Sequence, residues 1–310
     1  MIARFLIRCA LLGLPAVGIV SGYIATKARY FPAPRITNNL ALNEKLAFTK
    51  EDFSGGADVI AIGSSMALNN LSSSEVMEHF GNVRYVNTGA WGMGALEWAM
   101  LGPTMADRLK PNTVIVASNL MDFRKADPGL AGDSLGIAKY LDATCEFWSY
   151  LRHWDAPYYL RQMESNRIRF TDPANYEYLA VDAHGGATLV VPKDRIIMER
   201  FNALPPEEAE LDEERYAAFN RFARDLEERG IRLVLMQCAY RSGVRTTVSD
   251  ALQEKHVARL RALLEPMGHL VVDANTRKWP DDLYVDSSHL GQEGAEAMTK
   301  YCLDQLSELH

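Results

Sequence analysis

Five kinds of residue in this sequence can do chemistry together: a serine pair, a histidine, an aspartate, an asparagine and a set of glycines. The serines stand in "DVIAIGSSMALNNL", where Val59 to Ile62 climb to Gly63 and then meet Ser64 and Ser65. The histidine is His289 in "YVDSSHLGQEG", with Asp286 three residues ahead of it. Asn119 closes "NTVIVASN", and "NTGAWGMG" runs from Asn87 to Gly94. A serine hydroxyl is a weak nucleophile until a base within hydrogen-bond reach removes its proton. His289 can be that base, and a carboxylate on its other ring nitrogen fixes the tautomer and stabilises the imidazolium. A tight Asp-x-x-His turn can bring Asp286 there. The tetrahedral intermediate then needs donors aimed at its oxyanion. The backbone N–H groups of Ser65 and Gly92 and the side-chain amide of Asn119 are the candidates. Each residue also has a plainer role: Ser65 can cap a helix, Gly89, Gly92 and Gly94 can serve turns, and Ser64 competes with Ser65 for the attack.

These residues act together only if the chain brings them to one edge. "ADVIAI", "VRYVNTG", "NTVIVASNL", "IRLVLMQ" and "HLVVDA" are short apolar runs of strand character, and helical segments separate them. "SSEVMEHF" reads as a helix capped by Ser72 to Ser74, and "GALEWAMLGPTMADRL" as a helical stretch broken at Pro103. "PPEEAELDEERYAAFNRFARDLEERG" predicts a helix starting at proline and ending before Gly230, with Tyr216, Phe219, Phe222, Ala223 and Leu226 on its core face. "VSDALQEKHVARLRALLEPMG" and the segment from Gln292 onward predict two more. Alternation of this kind predicts an α/β fold: a mostly parallel five-stranded sheet covered on both faces. Ligands of such sheets bind beyond the carboxyl ends of the strands. Ser64–Ser65, the "NTGAWGMG" stretch, Asn119 and the Asp286–His289 loop follow strands one, two, three and five, so all reach that edge.

The formal net charge of −7, with no Lys/Arg-rich run, argues against nucleic acid as the main partner, because phosphate binding needs clustered cations. Cys9, Cys145, Cys238 and Cys302 are widely spaced and offer no zinc or disulfide pattern. His79, His153, His256, His269 and His310 read as surface residues. His184 with Asp182 is a weak metal pair without a third ligand, so no metal and no cofactor is implied. Residues 1–28 contain an apolar stretch from Cys9 to Ala25 between Arg8 and Lys27, and predict a membrane anchor, with a cleaved signal peptide as the rival. Residues 29–56 read as a tether and 57–310 as the main domain. A lobe inserted at about 127–206 interrupts the alternation. Its "CEFWSYLRHWDAPYYLRQM" is dense in aromatics: Trp148, Leu151 and Trp154 form a small core of their own, or the aromatics make a lid or sugar-stacking surface. "ATLVVP" within it is a possible strand, and Asp122 with Arg124 either lines the cleft or forms a surface pair.

The ordered blocks around Ser65, Gly92, Asn119 and Asp286–His289 resemble the SGNH hydrolase superfamily, the GDSL-type esterases. The resemblance covers residues 58 to the C-terminus apart from the insertion. It implies a flavodoxin-like three-layer α/β/α sandwich, Ser65 as nucleophile, Asp286 and His289 as its partners, and an oxyanion hole from Ser65, Gly92 and Asn119. Two blocks depart from the pattern: Ser64 stands where the family carries aspartate, and Ala117-Ser118-Asn119-Leu120 replaces Gly-x-Asn-Asp. Together with the N-terminal stretch, the looser blocks resemble the SGNH-like proteins of envelope O-acylation, of the alginate and teichoic-acid types. That implies an extracytoplasmic acyltransferase moving an acetyl or similar group onto a polysaccharide, beside a membrane-bound O-acyltransferase. An esterase, or a non-catalytic scaffold of an acylation complex, is the alternative.

Overall fold

The structure, a computed structural model, describes residues 2–125 and 134–308. Five strands form one parallel sheet: β1 (Val59–Gly63), β2 (Tyr85–Asn87), β3 (Thr113–Ser118), β4 (Arg232–Gln237) and β5 (Leu270–Asp273). Their order, β2-β1-β3-β4-β5, is that of flavodoxin-like sheets. The apolar runs explain why both faces are covered. Successive strand side chains point to opposite faces; in β1, Ile60 and Ile62 enter one core while Val59 and Ala61 enter the other.

Twelve α-helices are found among the described residues. Of these, α1 (Ile2–Thr26) lies at the N-terminus, and α2 (Leu40–Asp52), α5 (Ala95–Leu109), α10 (Glu213–Glu228) and α11 (Thr247–Leu264) feed the first core. The second is closed by α3 (Ser65–Asn70), α4 (Ser73–Phe80) and α12 (Gln292–Glu308). The inserted region carries α6 (Ser134–Asp142), α7 (Phe147–Arg152), α8 (Ala156–Arg169) and α9 (Met198–Phe201). The expected start of the insertion near residue 127 lies outside the described residues.

Several expectations change. α5 runs through Pro103 instead of breaking there. The proline removes one N–H, but Trp98, Leu101, Met105 and Leu109 keep the helix buried on either side of it. α10 begins at Glu213 because Asp212 caps it, accepting from the Glu214 N–H at 3.0 Å; a proline has no side-chain acceptor for that task. The core face of α10 is buried as expected. "ATLVVP" forms no strand beyond an isolated bridge between Leu189 and Gly291. His256 and His269 are buried, not surface residues. The His269 Nδ1 accepts from the Leu233 N–H at 3.2 Å, leaving Nε2–H to donate to the Ala223 carbonyl at 2.9 Å, so the ring bridges β4 and α10.

The N-terminal regions also differ from expectation. Residues read as a tether fold as α2, whose Leu42 and Leu46 are buried in the first core. The Lys45 ammonium, buried beneath them, donates to the Asn87 carbonyl at 3.2 Å. Among the described residues, no helix is long and apolar enough to cross a membrane. The uncharged run of α1 between Arg8 and Lys27 is shorter than the roughly 20 apolar residues a bilayer core asks for, so the expected anchor is not supported. The insertion's aromatics do not build a core of their own: Trp148, Leu151 and Trp154 are all more than half exposed. Their neighbours grip residues 23–35 instead. The Tyr159 ring stacks on Phe31 with centroids 5.3 Å apart, its hydroxyl accepts from the Arg35 N–H at 2.9 Å, and the Asn166 amide donates to the Tyr30 carbonyl at 3.2 Å. Tyr23 and Lys27 both bond Glu164.

One contact between helices is testable. Gly102 of α5 faces Phe222 of α10 so closely that a Cβ there would sit 2.0 Å from the ring. Gly102→Ala is expected to destabilise the protein by about 1–3 kcal/mol through overpacking. Trimming the ring, Phe222→Leu, should recover part of that loss in the double variant; urea unfolding of the four proteins measures the coupling.

Candidate active site

The structure brings the serine, histidine and aspartate into one hydrogen-bonded chain. Gly63 ends β1 where a side chain has no room: a Cβ would lie 2.6 Å from that of Ala67 and 2.7 Å from the Ala117 carbonyl. The chain can therefore turn sharply from strand into α3. The two serines then divide the work. Ser64 is the N-cap: its buried hydroxyl oxygen accepts from the Met66 N–H at 3.1 Å, and the group also bonds Asp122. Ser65, the first residue of α3, holds its Oγ 2.8 Å from the His289 Nε2.

Asp286 does two jobs with its two oxygens. Oδ1 accepts from the N–H groups of Ser288 at 2.9 Å and His289 at 2.7 Å, closing the turn. Oδ2 lies 2.7 Å from the His289 Nδ1. Burial alone would raise this carboxyl, but the His289 charge, its hydrogen bond and the two N–H groups outweigh it and hold Asp286 below the usual carboxylate range. An ionised Asp286 can only accept, so Nδ1 carries the proton and Nε2 is free to accept from Ser65. Asn70 locks the loop from the other side: its amide donates to the Ser288 carbonyl at 2.8 Å and its Oδ1 accepts from the Leu290 N–H at 2.9 Å.

The two remaining candidates stand differently. Asn119 caps the turn after β3, with Oδ1 accepting from the Met121 N–H at 2.9 Å. Its Nδ2 lies 3.1 Å from the thioether of Met66, the residue after Ser65. Sulfur is a weak acceptor, so this amide is only lightly engaged. Gly92 has φ +66, a left-handed conformation that favours glycine, and its N–H has no acceptor among the described residues. It is exposed. Neither residue lines the cleft beside Ser65, which encloses about 220 Å³ and is walled by Ser65, His289, Trp91, Tyr176, Arg200 and Glu177, among others. Asp182 and His184 form a local turn, the carboxylate accepting from the His184 N–H at 2.8 Å, and no group of three or more metal-binding side chains is found among the described residues.

Sequence reasoning missed three supports. Asn70 has no motif around it. Tyr176 and Arg200 come from the insertion, and their approach to Ser65 depends on long-range packing. Asp122 and Arg124 do not form a surface pair. Arg124 lies 3.7 Å from Glu210, while Asp122 is buried and accepts from the Asn119 N–H at 3.1 Å.

No family model matches the sequence, and no curated protein is similar to it. Solved structures give distant likenesses. A GDSL-like lipase from Bacteroides thetaiotaomicron VPI-5482 is 12% identical, with a TM-score of 0.40 over 86% of this chain and 99% of its own. A protein assigned to the lipolytic G-D-S-L family, from Desulfitobacterium hafniense DCB-2, is 12% identical, with a TM-score of 0.39 over 79% of this chain and 97% of its own.

Asp122 gives a pH signature. Burial pushes its carboxyl up to about 7, against hydrogen bonds from Ser64, Asn119 and Ser118 and the charge of His289. The folded state therefore keeps the proton longer than the unfolded chain. Stability present at low pH is lost as pH rises from about 4 to about 7. Asn at this position does not titrate. Asp122→Asn is expected to lose less thermal stability than the parent protein between pH 5 and pH 8, read as the change in Tm across that range.

Proposed function

We propose that this protein is a serine-dependent acyl-ester enzyme of the SGNH type that works through an acyl-enzyme on Ser65. The observation that carries the reading is the unbroken chain from Ser65 Oγ to His289 Nε2 and from His289 Nδ1 to Asp286 Oδ2, at 2.8 and 2.7 Å. In the first step His289 takes the Ser65 proton while Oγ attacks the ester carbonyl. The tetrahedral intermediate collapses, its bond to the alcohol oxygen breaks, and His289 returns the proton to the departing alkoxide. In the second step an acceptor hydroxyl gives its proton to His289 and attacks the acyl-serine carbonyl; the bond to Oγ then breaks and His289 returns the proton to Oγ. Asp286 holds the imidazole in the tautomer both steps need. The N–H groups of Ser65 and Gly92 and the amide of Asn119 are the proposed oxyanion donors.

A cleft of about 220 Å³ is smaller than usual ligand pockets, which favours a short acyl group such as acetyl over a lipid chain. The same residues serve water or a sugar hydroxyl as acceptor. We assign the acceptor as a polysaccharide hydroxyl, with the acyl group delivered by a membrane-bound O-acyltransferase; hydrolysis to the free acid is the second reading, favoured by the partial exposure of Ser65 to water.

The test is release of nitrophenol from 4-nitrophenyl acetate, with protein acetylation followed by mass spectrometry. Ser65→Ala and His289→Ala are each expected to abolish turnover, and Asp286→Asn to lower it by roughly 10⁴-fold, the scale for a triad aspartate. Turnover retained by Ser65→Ala would overturn the assignment. Acetyl transfer to an added oligosaccharide selects the transferase; acetate release that ignores the sugar selects the esterase.

A further inference from the structure

The cleft wall beyond Ser65 is built by the insertion, and it is held in place rigidly. The Tyr176 hydroxyl donates to the Val285 carbonyl at 2.8 Å, in the residue before Asp286, and accepts from the Ile197 N–H at 3.0 Å. The Ser287 N–H, inside the histidine turn, donates to the Arg200 carbonyl at 3.1 Å. One residue on, the buried Arg241 guanidinium bonds the Phe201 carbonyl through Nε at 3.2 Å and Nη2 at 3.0 Å. Arg200 is therefore fixed by its backbone to the same turn that carries His289.

Its side chain is not used for that purpose. The guanidinium lies over the Tyr176 ring, 5.0 Å from the centroid, and lines the cleft with Ser65 and His289. Among the described residues no carboxylate pairs with it. The two acidic side chains of the same cleft are occupied elsewhere: Asp286 holds His289, and Glu177 accepts from Arg169 through Nε at 3.1 Å and Nη2 at 2.9 Å. Among the described residues that line the cleft, the one uncommitted charge is positive, in a protein of net charge −7. A guanidinium backed by an aromatic ring presents its planar fork of donors outward, a shape matched to carboxylate.

We infer that Arg200 is a substrate-recognition residue and that the cleft takes an ester carrying a carboxylate, on either its acyl or its alcohol side, bound to Arg200 while Ser65 meets the carbonyl. This rests on the acyl-ester reading above and narrows it to anionic esters. The bond-making steps are unchanged; Arg200 only holds the charge.

Two matched ester pairs separate the two sources of the carboxylate. 4-Nitrophenyl hemiglutarate against 4-nitrophenyl butyrate places the charge on the acyl side. 4-Acetoxybenzoate against its methyl ester places it on the alcohol side. In one pair, the charged-to-neutral ratio of kcat/KM is expected to fall about tenfold in Arg200→Gln, with part of the ratio kept by Arg200→Lys. Equal ratios in parent and Arg200→Gln for both pairs would overturn the inference. Equilibrium binding of the same four esters to Ser65→Ala protein, with and without Arg200→Gln, reads recognition without turnover. An Arg200-dependent preference for a charged ester there supports the inference even if the parent protein turns over none of them, which would be a failure of the acyl-ester reading alone. Equal binding of charged and neutral esters overturns it.

Discussion

A parallel sheet buried on both faces leaves its polar side chains one outlet, the strand ends, and the candidate site is a consequence of that constraint. Ile60, Ile62, Val114 and Val116 fill one core and Val59, Ala61, Ile115 and Ala117 the other, so the middles of β1 and β3 are apolar and the hydroxyls of β3, Thr113 and Ser118, stand at its two ends. Polar side chains gather where these strands end: Ser64 and Ser65 after β1, Ser118 and Asn119 at the end of β3. The sheet fixes their spacing through its register, Gly63 lying opposite Ala117. The His289 loop is then tied to the same edge by Asn70, at the end of the short helix that Ser65 begins.

Much of this was legible in the sequence. Runs of β-branched residues gave the five strands, and the alternation with amphipathic helices gave the layers. The Asp286–His289 spacing gave the turn, because a carboxylate three residues ahead of a histidine can reach both its N–H and its ring. What was not legible depended on packing between distant segments. Nothing in a single sequence tells Ser64 from Ser65; the difference is that one hydroxyl satisfies the start of α3 while the other faces His289. His256, on a helix with charged neighbours, and His269, at the edge of a strand, looked like surface residues, yet each ring has a buried partner, Tyr216 for one and the backbone of β4 and α10 for the other. Pro103 looked like a helix end because local propensity was read without the buried faces that keep α5 intact.

The insertion was the least readable part, and its aromatic richness pointed in the wrong direction. The residues that reach the cleft, Tyr176 and Arg200, lie outside the aromatic cluster. That cluster packs partly on itself and partly on residues 23–35, through Tyr150 and Tyr159, with Asn166 just beyond it adding a bond to Tyr30. One inserted region thus touches two separate features: the histidine turn at one end and the N-terminal segment at the other.

That arrangement turns the N-terminal segment into a handle. Stacking against Phe31, the bond to the Arg35 backbone and the bonds of Tyr23 and Lys27 to Glu164 remove the swivel that a loose leader would have. The N-terminal segment and the mouth beside Ser65 are thus held through the same inserted region, so that the bearing of one is carried to the other.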